Sequence, residues 1–196
     1  MDMSKISCER LFYELELLQK LSVEERKVIC QNVEYRKIKE GEIVLEEGQV
    51  AKELYFICKG VLKLANVNDK GNEAVHYFLE EGQFCSNLKS FNENIVSNYR
   101  IQASCEAEII VFKKDQLFFL YDAIYYFKEL LGRICQRALF DNIQMRNSYL
   151  GDDATARYRK FFAQQSTVAV RIPLSDIASY LGITQQSLSR IRKNRS

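Results

Sequence analysis

Between Thr184 and Lys193 the chain sets out hydroxyl, amide and cationic side chains in one short run: Thr184, Gln185, Gln186, Ser187, Ser189, Arg190, Arg192 and Lys193. Amides pair with adenine, guanidinium groups with guanine and ammonium groups with phosphate, so this set is suited to double-stranded DNA. For those groups to face one way the run must be helical, with Leu188 and Ile191 turned toward the protein. Thr184 then offers its hydroxyl as the N-cap, and the polar residues fall on the exposed side.

A second helix must hold that one in place, and the preceding residues have the spacing for it. Counting from Leu174, a small residue (Ala178) falls where two helices approach most closely. Gly182 supplies the positive φ of a sharp turn. Ile177, Leu181, Ile183, Leu188 and Ile191 form the apolar seam, and Pro173, the single proline, fixes φ just ahead of the first helix. The spacing also suits an ordinary helical hairpin with a solvated charged face. Charge decides between the two. Residues 157–196 carry eight Lys or Arg and one acid, Asp176, a net of +7, whereas the preceding residues carry 20 basic and 25 acidic side chains, a net of −5. A basic tail on an acidic body is the footprint of a nucleic-acid binder.

With 196 residues, 47% of them hydrophobic, the chain can build one large or two modest domains with a true core. Residues 1–20 mix charges among the apolar positions, unlike a signal peptide, and the apolar run 117–127 is interrupted by Asp122. A cytoplasmic protein with no membrane partner is expected. The six cysteines (Cys8, Cys30, Cys58, Cys85, Cys105 and Cys135) lie twenty or more residues apart and read as buried free thiols rather than a metal site. The lone His76 sits within a strand pattern and reads as a packed or surface residue. No nucleophile elbow, Walker loop, HExxH or histidine pair is present, and a non-enzymatic protein is expected.

Residues 4–33 read as helical, with a capping box at Ser22-x-x-Glu25 opening the second helix. From 34 to 112 the period changes to two, glycines punctuate the sequence, and short strands about ten residues apart predict a β-barrel or cupin-like jelly roll. Strands at 54–58 and 61–65 flank a tight turn at Lys59-Gly60, and a second hairpin turns through Asn68-Asp69-Lys70-Gly71-Asn72. Asp115 is placed to cap a short helix. Asp122 is placed to open a long one, about 122–148, in which Phe127, Leu131, Ile134, Ala138 and Met145 form one apolar flank and Leu130, Leu139 and Ile143 another. Two flanks need two partners. Burial within one domain is one solution; the favoured one sets one flank on the barrel and the other on the same helix of a second subunit. Gly151-Asp152-Asp153 reads as a hinge, which divides the chain into a sensing barrel with its long helix, 1–150, and a basic domain, 151–196.

With barrel, long helix and helix pair in that order, the chain resembles the cyclic-AMP receptor protein and fumarate-nitrate regulator (Crp/Fnr) family of bacterial transcription factors. The carriers are "EEGQVAKELYFICKGVLKL", "YFLEEGQF", "RIQASCEAEI" and "IASYLGITQQSLSRIRK". The resemblance implies an α+β protein: a cyclic-nucleotide-binding-like barrel, a long dimerisation helix and a helix-turn-helix. It also implies a homodimer on a palindromic operator, with RNA polymerase as a further partner and an effector pocket in each barrel. The base-contacting positions fall on Gln185, Gln186 and Arg190, with Lys193 near the backbone. Around the pocket the expected residues are Phe84, Ser86, Asn87, Leu88, Tyr99 and Arg100; alternation leaves open whether Arg100 points inward.

Three departures matter. Where cyclic-AMP binders carry Gly-Glu for the ribose and Arg-Ser for the phosphate, this chain has Ser86-Asn87 and Ile95-Val96. Cys8 alone stands where the iron-sulfur type has a cluster, so neither cyclic AMP nor an iron-sulfur centre is expected, and any effector should be an unknown neutral or apolar molecule. The sequence ends at Ser196, where the family continues into a β wing, so the helix-turn-helix domain is expected to lack most of that wing. That departure motivates a second reading, a ligand-binding or interaction module whose DNA-binding part has degenerated.

Overall fold

The computed structural model describes residues 3–68 and 71–193, with side chains from Cys8 onward. Helices α1 (Met3–Glu16) and α2 (Val23–Gln31) open the chain. Then come β1 (Glu34–Ile38), β2 (Ile43–Leu45), β3 (Glu53–Lys59), β4 (Leu62–Val67), β5 (Glu73–Leu79) and β6 (Phe84–Cys85). After α3 (Leu88–Glu93), β7 (Arg100–Ala103) and β8 (Ala107–Lys113) the rest is helical: α4 (Lys114–Ala123), α5 (Phe127–Asn147), α6 (Ala154–Gln164), α7 (Ser166–Ala169), α8 (Leu174–Leu181) and α9 (Gln185–Lys193).

The strands form two four-stranded antiparallel sheets, β1-β8-β3-β6 and β2-β7-β4-β5, stacked as a sandwich. The expected hairpin at Lys59-Gly60 is corrected here: β3 and β4 belong to different sheets, and the tight turn carries the chain across the sandwich. Gly60 is needed at that crossing, because φ is +96° and a Cβ would lie 2.5 Å from the Glu106 carbonyl oxygen. The second turn is a hairpin, joined by Asn68 and Asn72, with the Asn72 N–H donating to Asn68 Oδ1 at 3.0 Å; Asp69 and Lys70 lie outside the described residues.

Pairing slips on β5, where Leu64 faces Tyr77 but Ala65 faces Val75, so His76 is the extra residue of a bulge. The bulge reverses the alternation. Val75 and Phe78 both turn outward, while Tyr77 and Leu79 turn into the sandwich.

Two cores result. The first fills the sandwich with Phe56, Phe84 and Phe112, ring centroids 5.0 and 6.0 Å apart, and is closed by Leu11, Leu15, Ile29, Phe127 and Leu131 from the surrounding helices. The capping box is made as expected: the Glu25 N–H donates to Ser22 Oγ, and the Ser22 N–H donates to the Glu25 carboxylate at 2.7 Å. The second core lies outside the sandwich, where Val61, Ala65, Val75 and Phe78 meet Tyr158, Phe161, Val168, Ile177, Tyr180 and Leu188 of the C-terminal helices.

Two helix boundaries differ from expectation. Asp115 is in the first turn of α4, whose N-cap is Lys113 without a side-chain bond. Asp122 does not open the long helix, because the backbone becomes extended at Ile124 (φ −127°, ψ 95°) and restarts at Phe127. The run Ile124-Tyr125-Tyr126 has poor helix propensity, and the break lets both Ile124 and Phe127 bury in the first core.

Candidate nucleic-acid interface and barrel cavity

Helix α8 forms where apolar residues recur at helical spacing, and its buried face is Ile177, Ala178 and Leu181. Pro173 precedes it at φ −59°, and Gly182 ends it in the left-handed region at φ +65°. The Ile183 N–H donates back to the Ala178 carbonyl at 2.9 Å, closing the turn. Thr184 caps α9 by accepting the Ser187 N–H at 3.1 Å, and the Thr184 and Ser187 hydroxyls lie 2.9 Å apart. Leu188 is fully buried and fixes the rotation of α9. Gln185, Gln186, Ser189, Arg190, Arg192 and Lys193 are therefore brought together on the exposed side, whereas Thr184 and Ser187 are tied to each other at the cap.

The helix pair is anchored to the sandwich by polar contacts of long sequence separation. Lys63 Nζ donates to Asp176 Oδ1 at 2.9 Å and to Glu73 Oε1 at 2.7 Å, and the Ser104 hydroxyl donates to Asp176 Oδ2 at 3.0 Å. Ser179 on α8 accepts the Val75 N–H and donates to the Glu73 carbonyl. Arg171 grips Glu81 through both terminal nitrogens and reaches Glu80. Burial opposes ionisation of Glu81, but hydrogen bonds from Arg171 and the Gly60 N–H outweigh it and hold the carboxyl below its usual range.

A cavity of about 120 Å³ lies between the sandwich interior and α5. Leu54, Phe84, Cys85 and Ser86 line one side, Leu64, Tyr77 and Leu79 another, and Cys135, Ala138, Leu139 and Asn142 project from α5. Of the residues expected at a pocket, Phe84, Ser86 and Leu88 line it, and three do not. Asn87 caps α3 and donates to Ser97 Oγ at 2.8 Å. Tyr99 packs edge-on against His76, with centroids 5.0 Å apart. Arg100 points out of the sandwich and pairs with Glu73, because its neighbours Ile101 and Ala103 take the inward positions of β7.

A cyclic phosphate placed here would meet mainly apolar side chains. Among the described residues no Lys or Arg lines the cavity, and Ile95 and Val96 stand exposed. A buried phosphate without a cation would cost several kcal/mol.

The two apolar flanks of α5 are covered to different extents. Phe127 and Leu131 are buried in the first core, Ile134, Ala138 and Met145 are partly covered, and the apolar residues of α5 left exposed are Leu139 (50%), Phe140 (55%) and Ile143 (40%). Sequence reasoning also missed the contacts that join the two cores. Arg146 on α5 donates to the His76 carbonyl at 2.8 Å and sits 5.9 Å from the ring centroids of both Tyr77 and Tyr180. Its signal was faint: a cation one position past Met145, on the expected seam. Of the cysteines, Cys30 is exposed, Cys8 and Cys85 are buried, and the rest lie between. Among the described residues no cluster of His, Cys, Asp or Glu could hold a metal, and no helix is long and apolar enough to cross a membrane.

Residues 35–123 match the cyclic nucleotide-binding domain family. The chain shares its fold with FixK2 from Bradyrhizobium japonicum, at TM-score 0.70 and 15% identity over 83% of each chain. It is similarly close to CLP from Xanthomonas campestris, a c-di-GMP-responsive global regulator, at TM-score 0.70 and 15% identity over 88% of this chain and 91% of that one. A transcriptional regulator of the CRP/FNR family from Thermus thermophilus aligns at TM-score 0.64 and 12% identity, over 81% of this chain and 83% of the other. No curated protein matches the sequence.

Proposed function

We propose that this chain, with a cyclic nucleotide-binding domain at residues 35–123 and the fold of Crp/Fnr regulators, is a homodimeric transcription regulator that binds DNA through α8 and α9. The observation that carries the reading is the exposed face of α9. Gln186, Ser189, Arg190 and Lys193 recur at helical spacing on the side away from the fully buried Leu188, Gln185 is exposed in the first turn, and cations fill the last turn. As the second helix of a helix-turn-helix, α9 lies in the major groove, where Gln185, Gln186 and Arg190 meet base edges and Lys193 meets phosphate. Residues 151–196 are then the DNA-binding part, and residues 1–150 the sensing part.

A single helix-turn-helix gains affinity by pairing with its symmetry mate one DNA turn away. The exposed stripe Leu139, Phe140 and Ile143 supports a symmetric α5–α5 contact. Beside it, an open groove of about 610 Å³, lined by Leu88, Phe91, Tyr121 and Leu139 among others, offers room for the second copy's helix. Neither cyclic AMP nor catalysis belongs to this reading, and RNA polymerase is a partner of the DNA-bound dimer.

A gel shift with a randomised duplex pool tests it. Enrichment of an inverted repeat is the expected result. Binding that fades steeply with salt and selects no sequence would replace it with the alternative, an interaction module with a degenerate DNA-binding part.

A further inference from the structure

Helices α1 and α2 lie against each other, and their side-chain contacts fall into one register. Arg26 on α2 donates to the Glu16 carboxylate through Nε at 3.0 Å and Nη2 at 2.5 Å, and its guanidinium carbon stands 5.3 Å from the ring centroid of Phe12. Arg26 is thereby seated between two residues of α1 that are one turn apart. One turn further along α2 is Cys30, and one turn back along α1 from Phe12 is Cys8. The antiparallel register that seats Arg26 therefore sets Cys8 opposite Cys30, and the two thiols share a side-chain hydrogen bond.

The two thiols differ in what can reach them. Cys30 is exposed near the end of α2, whereas Cys8 is buried with the first core. Burial, then the contact with Cys30 and the nearness of Cys30 and Cys58, push the Cys8 thiol up to about 12, so it is protonated at neutral pH. The part of that rise due to charge on Cys30 ends once Cys30 carries a neutral substituent on its sulfur. Cys58, the extra residue of a bulge in β3, is half-buried, and burial, then Glu108, push its own thiol up to about 12. Exposure and contact together select Cys30 as the point of entry and Cys8 as its partner.

We infer that Cys8 and Cys30 form a reversible thiol–disulfide pair, in which the exposed Cys30 reacts first with a small-molecule disulfide and the buried Cys8 resolves the product. The Cys30 sulfur, its proton lost to solvent, attacks one sulfur of the small disulfide. That S–S bond breaks, and one small thiolate leaves and takes up a proton. Cys8 then attacks the Cys30 sulfur of the mixed disulfide: the Cys8–Cys30 bond forms, the mixed bond breaks, and the second small thiolate leaves with the proton of Cys8. Two protein thiols are oxidised and one small disulfide is reduced to two thiols. The second step joins groups already in contact, so the mixed disulfide does not accumulate. The bond closes the chain from Cys8 to Cys30 and fastens α2 to α1. The inference concerns these two helices and does not rest on the DNA-binding reading.

The full native chain, equilibrated with mixtures of reduced and oxidised glutathione, quenched in acid, alkylated in denaturant and mapped by peptide mass spectrometry, provides the test. As the oxidised share rises, Cys8 and Cys30 should lose alkylation together at one midpoint and appear in one linked pair of peptides. Cys58, Cys85, Cys105 and Cys135 should stay alkylated. In Cys8→Ala the glutathione adduct on Cys30 should exceed that of the native chain by about tenfold or more. In Cys30→Ser, a surface change that leaves the core intact, Cys8 should stay alkylated at every ratio. Loss of alkylation at one of the two positions alone, a Cys8–Cys58 or intermolecular link in place of Cys8–Cys30, a lasting glutathione adduct on Cys30 of the native chain, or a Cys30 that stays alkylated in oxidised glutathione alone would each overturn the inference.

Discussion

Lys63 on β4 and Asp176 on α8, 113 residues apart, form an ion pair of 2.9 Å in which both side chains are almost completely buried. Asp176 is the single acid among the cations of residues 157–196, and this contact fastens that basic segment to the sandwich. Lys63→Met leaves buried Asp176 with the Ser104 hydroxyl alone and should cost about 3–5 kcal/mol, whereas Asp176→Leu leaves Lys63 its Glu73 partner and should cost less. The double variant Lys63→Met/Asp176→Leu should recover part of that loss. Urea unfolding measures both; single variants as stable as the native chain would show that the pair is solvated.

The two sides of α5 should respond oppositely to charge. Phe140→Glu or Ile143→Glu places a carboxylate on the exposed stripe and should give a folded monomer by light scattering. Leu131→Glu buries an unpaired charge in the first core and should unfold the sandwich at any protein concentration. A native chain that scatters as a monomer at micromolar concentration contradicts the dimer.

His76 predicts a pH dependence. Burial, and then the Arg146 guanidinium, lower its pKa from the ordinary 6.5. Above 6.5 the ring is neutral in both folded and unfolded chains and its contribution to stability is fully present. As pH falls through 6.5 the unfolded chain takes up the proton first, and stability is lost until the lower, folded value is passed. Denaturant melts between pH 7.5 and 5 should show this loss, and His76→Gln should reduce it. An unchanged slope in the variant would assign the loss to other groups.

Local signals were legible in the sequence because local physics causes them. The capping box at Ser22 and Glu25, the left-handed Gly182 and the Thr184 cap each join residues within a few positions of one another. What could not be read were choices settled by partners distant in sequence. The crossing at Gly60 resembles a hairpin turn until β3 and β4 are seen to pair with other strands. The bulge at His76 changes which residues of β5 face inward, and so places Tyr77 in the cavity wall. On α5, spacing found two apolar flanks but could not say which one the sandwich covers. Arg100 turned outward because Ile101 and Ala103 take the inward positions of β7, a phase the alternation alone left open, and Glu73 meets it on the outer face.

The most direct measurement of the central claim is a competition binding profile on the selected duplex, with each base pair of a half-site varied in turn, for the native chain and for Arg190→Ala. Arg190 is exposed on α9 one turn beyond Gln186, so its loss should cost about 1–3 kcal/mol and relax preference at one position of each half-site. Lys193→Ala, as a control, should weaken all sequences alike and flatten the salt dependence. If Arg190→Ala leaves affinity and base preference unchanged at every position, α9 is not the helix that reads DNA.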